Sequence, residues 1–224
     1  MSFTFEERQT DSPYIEGIAR VFAETDIAPL CRADGGWELI VRQYQGRKSL
    51  LVAGPITKAS VTSYPAGSEF LIIRFKLGLY IPSLPARNFI DREMPLPEAS
   101  SQSVWLNGAP WQFFSYDNVE TFLDRLVRDD ALLWDPVVRD TLQDRPLEVS
   151  QRTVRHRFLH ATGLTQTTLR QISRAHQAVS LLQQGVSILD AVYQLGYADQ
   201  PHMTRSLKHF VGQTPAQISL VPQP

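Results

Sequence analysis

The stretch that most restricts the fold of this chain is residues 187–215, SILDAVYQLGYADQPHMTRSLKHFVGQTP. Ser187 predicts a helix start, because its hydroxyl can accept from unpaired amides and an acid follows three residues later at the positive helix end. Gly196 can end that helix with a positive φ. Asp199 can then cap a second helix, whose first turn tolerates Pro201 because its amides lack intrahelical partners. Two short helices joined by a tight, glycine-containing turn have the sequence form of a helix-turn-helix.

The second helix of this pair has a polar side suited to nucleic acid. Met203, Leu207 and Phe210 recur at helical spacing and predict its buried side. The other side carries amide, hydroxyl and basic groups, namely Gln200, His202, Thr204, Arg205, Lys208 and His209. Such groups bind base edges and phosphates, so this helix is predicted to be a recognition helix.

The segment LGYADQPHMTRSLKHFVGQTPAQ resembles the second helix-turn-helix of the AraC/XylS family of transcription regulators. The matching positions are Gly196, Tyr197, Asp199, His202, Arg205, Leu207, Lys208, Gly212, Thr214 and Pro215, with Met203 as a near match. The resemblance implies a cytoplasmic, sequence-specific regulator that binds double-stranded DNA and is not an enzyme. It also implies RNA polymerase as a partner if the chain acts as an activator.

Residues 150–163 resemble the first recognition helix of the same family. Ser150 can cap this helix, Val154 and Phe158 recur at i and i+4, and Gly163 can end it. The chain departs from the family pattern just upstream, where a scaffold helix is usual and Pro146 interrupts the stretch. Two interpretations stay open here: residues 136–142 serve as a displaced scaffold, or the first unit is incomplete.

A helix is predicted over residues 165–184, between the two units. Thr165 can cap it and Gly185 can close it. Its apolar stripe consists of Leu169, Ile172, Val179 and Leu182. About twenty residues of helix span roughly 30 Å, which is close to the roughly 34 Å of one turn of B-DNA. One chain can therefore place two recognition helices in successive major grooves.

The resemblance assigns two groups of DNA contacts. Arg152, Arg155, His156, Gln200 and Thr204 match positions that approach base edges. Ser150, Thr153, Arg157, Arg205 and Lys208 are assigned to phosphates, which supply affinity and register. Arginine suits guanine, glutamine suits adenine, and threonine can meet a thymine methyl.

The distribution of charge agrees with a DNA-binding carboxy-terminal part. From residue 150 onward the acids are only Asp190 and Asp199, whereas seven arginines and lysines and all five histidines fall there. Since the whole chain has a formal charge of −1, the first 149 residues are net acidic. A basic segment on an acidic remainder is the electrostatic pattern of a nucleic-acid reader joined to another domain.

The front of the chain reads as β-rich, so the predicted fold class is α+β, with an antiparallel sheet or barrel-like domain ahead of an all-α helix-turn-helix domain. Strands are predicted at 37–44, 49–54, 56–64 and 69–76, and a short helix is predicted to start at Ser12 and Pro13. The predicted domains are residues 1–116, a helical connector at 117–149, and a DNA-binding domain at 150–224. Residues 77–111 are predicted to be irregular.

This front half is similar to the β-rich sensor domains that precede some AraC-type DNA-binding domains, which implies a small-molecule effector or a homodimer. It contains no histidine, and a single cysteine, Cys31, excludes an internal disulfide and a multi-thiolate site. No metal and no cofactor is therefore predicted. Aromatic and cationic side chains suit an organic effector, and the candidates are Trp37, Tyr64, Arg74 and Trp111.

Two other classes of function stay open on the sequence. One is a small-molecule-binding β-barrel protein or metal-free enzyme whose helical tail does not bind DNA. It would show turnover or tight ligand binding without a salt-dependent affinity for DNA. The other is a partner-binding protein with a degenerate DNA-binding domain, which would bind a protein and not DNA.

Overall fold

A computed structural model describes residues 3–143 and 145–220. Its strands are β1 (Phe3–Arg8), β2 (Ile15–Ala23), β3 (Leu30–Cys31), β4 (Glu38–Tyr44), β5 (Arg47–Ala53), β6 (Ser60–Val61), β7 (Glu69–Phe75), β8 (Leu79–Tyr80), β9 (Glu93–Pro95), β10 (Glu98–Ser100), β11 (Ser103–Leu106), β12 (Ala109–Gln112) and β13 (Leu133–Trp134). Its helices are α1 (Val119–Arg128), α2 (Pro136–Leu142), α3 (Gln151–Thr162), α4 (Gln166–Gln183), α5 (Ile188–Gln194), α6 (Gln200–Phe210) and α7 (Pro215–Ser219). A β-rich part therefore precedes a helical part, as the α+β prediction requires.

The main sheet of the β-rich part has six antiparallel strands in the order β1-β2-β7-β4-β5-β9. The sheet is open, because β1 and β9 lie at its edges. Successive side chains of a strand alternate between the two faces. In β7, Ile73 belongs to the main core while Ile72 lies with the cluster on the other face.

The main core lies on the inner face of this sheet, under α1. Leu39 and Ile73 from the sheet, and Leu123 and Leu126 from α1, are each 0% exposed. Residues at i, i+3 and i+4 share one side of a helix, which is why α1 presents these apolar groups together. The outer face carries a smaller cluster around Phe70.

The helical part has its own core, formed where α4 meets α5, α6 and α7. Ile172 and Val179 of α4 are buried with Met203 and Leu207 of α6. The cluster also includes Ala33, which comes from the β-rich part. The helical part is therefore packed against the β-rich part.

The predicted helix starting at Ser12 and Pro13 is wrong, since β2 begins at Ile15. The spacing of Ile15 and Ile18 fits one side of a helix, yet both side chains enter the sheet core. A register shift between Ile15 and Gly17 in the pairing with β7 explains this. A bulge adds one residue to a strand, so apolar positions three apart can face the same side.

Two further predictions about the β-rich part need correction. The stretch 56–64 contains only the two-residue strand β6, because its backbone turns out from the sheet toward the helical part. Residues 77–111 are not irregular throughout, since β10, β11 and β12 form a three-stranded antiparallel sheet. Asn107 and Gly108 both have positive φ, at 51° and 77°, in the turn between β11 and β12. An Asn-Gly pair is a strong hairpin signal, so the sequence does contain the information for this element.

Candidate nucleic-acid interface

The second helix-turn-helix consists of α5 and α6 and is built by local caps. The Ser187 hydroxyl accepts from the Asp190 amide at 3.1 Å, and the Asp199 carboxylate accepts from the His202 amide at 2.6 Å. Gly196, with φ of 65°, lies in the turn between the helices. The two caps and the glycine turn confirm what residue types and spacing predict.

The turn between α5 and α6 is also held by a residue of α4. The Arg174 guanidinium carbon lies 4.4 Å from the centroid of the Tyr197 ring. Arg174 Nη1 donates to the Gly196 carbonyl at 3.5 Å. No sequence pattern reveals this role of Arg174, because its two partners are more than twenty residues away along the chain.

The outward side of α6 carries the predicted DNA-contacting residues. Gln200, Arg205 and Lys208 are exposed, and Thr204 is half-buried. His202 instead supports the turn, because its Nδ1 accepts from the Ala198 amide at 3.3 Å. Three of the four predicted contacts on α6 are thus freely accessible.

The first unit presents a comparable surface on α3. The Ser150 hydroxyl accepts from the Thr153 amide at 3.2 Å and caps the helix. Arg152, Arg155 and His156 are exposed. The three predicted base-contacting residues of this unit therefore lie on one accessible helix.

Helix α2 packs directly against α3. Val138 of α2 is buried with Val154 and Phe158 of α3 in one apolar cluster. This packing favours the interpretation of residues 136–142 as a displaced scaffold over that of an incomplete first unit.

Arg157, which the sequence assigns to a phosphate, has an internal partner. Its Nη1 lies 3.4 Å from Oδ2 of Asp135, a carboxylate that is 0% exposed. Asp135 Oδ1 also caps α2, accepting from the amides of Val137 at 3.0 Å and Val138 at 3.1 Å. Arg157 thus contacts the start of α2, although it is exposed like Arg152 and Arg155.

A family model described as a helix-turn-helix domain, of the AraC type, matches residues 145–219. The chain carries an AraC-type DNA-binding domain. It is accordingly a DNA-binding regulator of transcription. No curated protein and no solved structure matches the chain.

The match to the AraC-type domain begins past α2, at Arg145. It covers both predicted recognition helices, α3 and α6, together with α4 between them. In the described residues, no helix is long and apolar enough to cross a membrane.

The four effector candidates do not meet in one place. Trp37 and Trp111 lie in the core of the β-rich part, where each indole donates to a backbone carbonyl, of Leu79 at 2.8 Å and of Leu106 at 2.9 Å. Tyr64 and Arg74 belong to the opposite, outer side of the sheet. Each of those two contacts a carboxylate: Tyr64 donates to Glu93 at 3.1 Å and Arg74 to Glu38 at 3.0 Å.

One small apolar cavity lies between the β-rich part and α3. Trp37, Tyr80, Phe89 and Ala161 are among its lining residues. Its volume is about 10 Å³, which accommodates a single water at most. The cavity is too small for an organic effector.

Proposed function

We propose that this regulator reads a defined DNA sequence by placing α3 and α6 in successive major grooves. The supporting observation is that both helices present exposed polar and basic side chains, while the elements between them include one continuous helix, α4. The 18 residues of α4 span about 27 Å at the usual rise. One turn of B-DNA is roughly 34 Å, so neighbouring grooves on one side of the duplex are within reach.

Base reading is assigned to the side chains that are exposed or half-buried on these helices. Gln200 suits the adenine N6 and N7 edge, and Thr204 can meet a thymine methyl. Arg152 and Arg155 suit guanine, with His156 beside them. Each such contact should contribute about 1–3 kcal/mol of discrimination between bases.

Phosphate binding is assigned to Arg205 and Lys208, with Ser150, Thr153 and Arg157 around the first unit. Cationic side chains release counterions from DNA and so supply affinity that falls with salt. The scarcity of acids after residue 150 supports this assignment, since Asp190 lies in the first turn of α5, where it accepts from the Ser187 hydroxyl, and Asp199 caps α6.

We further propose that the β-rich part binds an organic effector on its outer face, near Tyr64 and Arg74. An aromatic ring and a guanidinium on one side of a sheet suit a ligand with both apolar and anionic groups. Trp37 and Trp111 are left out of this proposal because their burial leaves no ligand-sized space. Contact with RNA polymerase and formation of a homodimer stay predictions.

The experiment that tests DNA reading selects genomic fragments with the full-length protein. The best fragment is then titrated against random duplex at several salt concentrations. We expect specific binding to exceed non-specific binding by roughly a thousandfold or more. Equally weak binding to the selected fragment and to random duplex would contradict the proposal.

Two substitutions separate the assigned roles. Gln200→Ala should relax preference at one or two base pairs, at a cost of about 1–3 kcal/mol on the selected site. Lys208→Ala should weaken binding to all sequences alike and reduce the slope of affinity against salt by about one unit. Equal losses on the selected site and on random DNA for Gln200→Ala would remove Gln200 from the base-reading residues.

A further inference from the structure

The carboxyl end of recognition helix α6 is hydrogen-bonded by the β-rich part of the chain. The last carbonyls of a helix have no intrahelical partner and must find donors elsewhere. The His209 carbonyl accepts from the Ala59 amide at 2.7 Å, and the Phe210 carbonyl accepts from the Ala33 amide at 2.8 Å. Two orphan acceptors of α6 are thus satisfied by amides that are far from it in sequence.

The two donor residues lie in one small structure, which we call the capping ribbon and define as residues 29–36 and 56–62. Its centre is the antiparallel pair β3 and β6, in which Leu30 lies opposite Val61 and Cys31 opposite Ser60. The ribbon extends from the sheet toward the helices. It therefore belongs to the β-rich part and contacts the DNA-binding domain.

Contacts around the hydrogen bonds are close. Gly212, directly after α6, has φ of 78°, and a Cβ there would lie 2.9 Å from Leu30 Cδ1 and 3.1 Å from Ala59 Cβ. The Arg32 guanidinium donates to the Gln213 side chain at 3.2 Å. A cation and amide donors at a helix carboxyl end also complement the negative end of its dipole.

Ala33 links two helices of the DNA-binding domain at once. Its amide donates to α6, while its carbonyl lies 2.5 Å from His176 Nε2 on α4. Ala33 is 0% exposed and belongs to the core of the helical part. The position of α6 relative to α4 thus depends on the ribbon as well as on helix–helix packing.

The ribbon is also tied to the outer side of the sheet. Ile27 and Tyr64 exchange backbone hydrogen bonds at 2.9 and 2.8 Å next to the ribbon. The Tyr64 ring packs on Phe70, with 4.6 Å between ring centroids. A continuous set of contacts therefore runs from the outer face of the sheet to α6.

We propose that the capping ribbon positions recognition helix α6 for DNA reading, with the Ala33 and Ala59 amides as its positioning donors. The proposal rests on α6 acting as a recognition helix. Loss of a donor frays the last turn of α6 and alters the reading of the half of the site that α6 contacts. The half read by α3 is held by other contacts and is unaffected.

The first test replaces the Ala59 donor in the full-length protein. Ala59→Pro removes the N–H, whereas Ala59→Ser keeps it and serves as the matched control. Without DNA, hydrogen exchange in residues 200–211 should accelerate about three- to tenfold in Ala59→Pro, with exchange in residues 151–162 unchanged. Unchanged exchange in residues 200–211 would overturn the proposal, and so would equal acceleration in both segments.

The second test uses DNA footprints, which report each half of the selected site separately. Ala59→Pro should lose protection of the α6 half at least about tenfold more than that of the α3 half. Gly212→Ala, which forces a methyl group against the ribbon, should do the same. Gly185→Ala carries the same backbone strain at φ of 84° with nothing within 4 Å, and should leave both halves unchanged.

The outcomes separate this inference from DNA reading itself. If the wild-type protein gives no specific footprint, the proposed function is contradicted. The exchange measurement, which needs no DNA, then tests by itself whether the ribbon holds α6. A specific wild-type footprint that neither Ala59→Pro nor Gly212→Ala changes would overturn the ribbon's role. Loss of both halves in equal proportion would also overturn it, because the ribbon would then support the whole fold.

Discussion

Charged side chains of the β-rich part differ in how far burial opposes their charge. Glu38 is paired with Arg74, yet burial raises the pKa of its carboxyl above the ordinary value. At the β1 edge of the sheet, Arg8 and Glu120 join β1 to α1 with a distance of 2.6 Å. There the hydrogen bond from Arg8 holds the pKa of the Glu120 carboxyl below its ordinary value of 4.5.

The Arg8–Glu120 pair should give a measurable pH dependence of stability. A lowered pKa means that the ionised carboxylate stabilises the fold above pH 4.5, and that this contribution is lost as the pH falls through the lowered value. Glu120→Gln should reduce the free energy of unfolding at pH 7 by about 0.2–1 kcal/mol, since the pair is partly exposed. The difference from wild type should shrink in urea titrations at acidic pH. A difference that does not change with pH would contradict this prediction, and the exposed Glu98→Gln provides the control.

At the scale of elements, α3 packs between α2 and the β-rich part. Gly163 ends α3 with φ of 72°, and a Cβ there would lie 3.1 Å from the backbone of both Ala86 and Arg87. One turn earlier, the His160 ring meets Tyr80 at 5.1 Å between centroids. Helix α3 is thus supported by residues of the β-rich part that lie outside the range 145–219 matched by the family model.

Substitution of two helix-ending glycines should measure this support. Gly185→Ala should cost about 1–2 kcal/mol from its left-handed backbone alone, because nothing lies within 4 Å of it. Gly163→Ala should cost about 1–3 kcal/mol more, since its methyl group also meets rigid backbone. Chemical denaturation of both variants tests this. Equal losses would mean that the contact between α3 and residues 86–87 contributes no stability.

At the scale of the whole molecule, the β-rich and helical parts contact each other at several helices. The contacts include the capping ribbon on α6, Ala33 with His176 on α4, and the turn at residues 86–88 beneath α3. Cores that share buried residues lose their packing together. The chain should therefore unfold as one cooperative unit.

The positions of the tryptophans allow a direct test of cooperativity. All four, Trp37, Trp105, Trp111 and Trp134, precede the DNA-binding domain. Tryptophan fluorescence therefore follows the front of the chain. Circular dichroism at helical wavelengths follows the helices, and six of the seven described helices, α2–α7, come after Trp134. The two urea transitions should coincide. Separate midpoints would show two independently stable units and would weaken the case for the ribbon.

Much of the DNA-binding domain could be predicted because its signals are local. Ser187, Asp199 and Gly196 act on atoms within a few residues, so their types and spacing are sufficient to place α5, α6 and the turn. The bounds of α3 and α4 follow from the same kind of caps. The identity of the DNA-contacting residues stays a prediction, since it depends on which bases and phosphates each exposed side chain meets.

What only the tertiary structure decided involves partners far apart along the chain. The ribbon's strands have two residues each and pair across the 28 residues 32–59. Such strands are too short for any periodic pattern to reveal. The bulge in β2, the hold of Arg174 on the turn and the separation of the effector candidates onto two faces are of the same kind. The sequence by itself determined the helices and their exposed chemistry, because caps and periodicity are short-range. The tertiary structure decided what holds those helices in place, because amides of the β-rich part reach the carboxyl end of α6 only once the chain has folded.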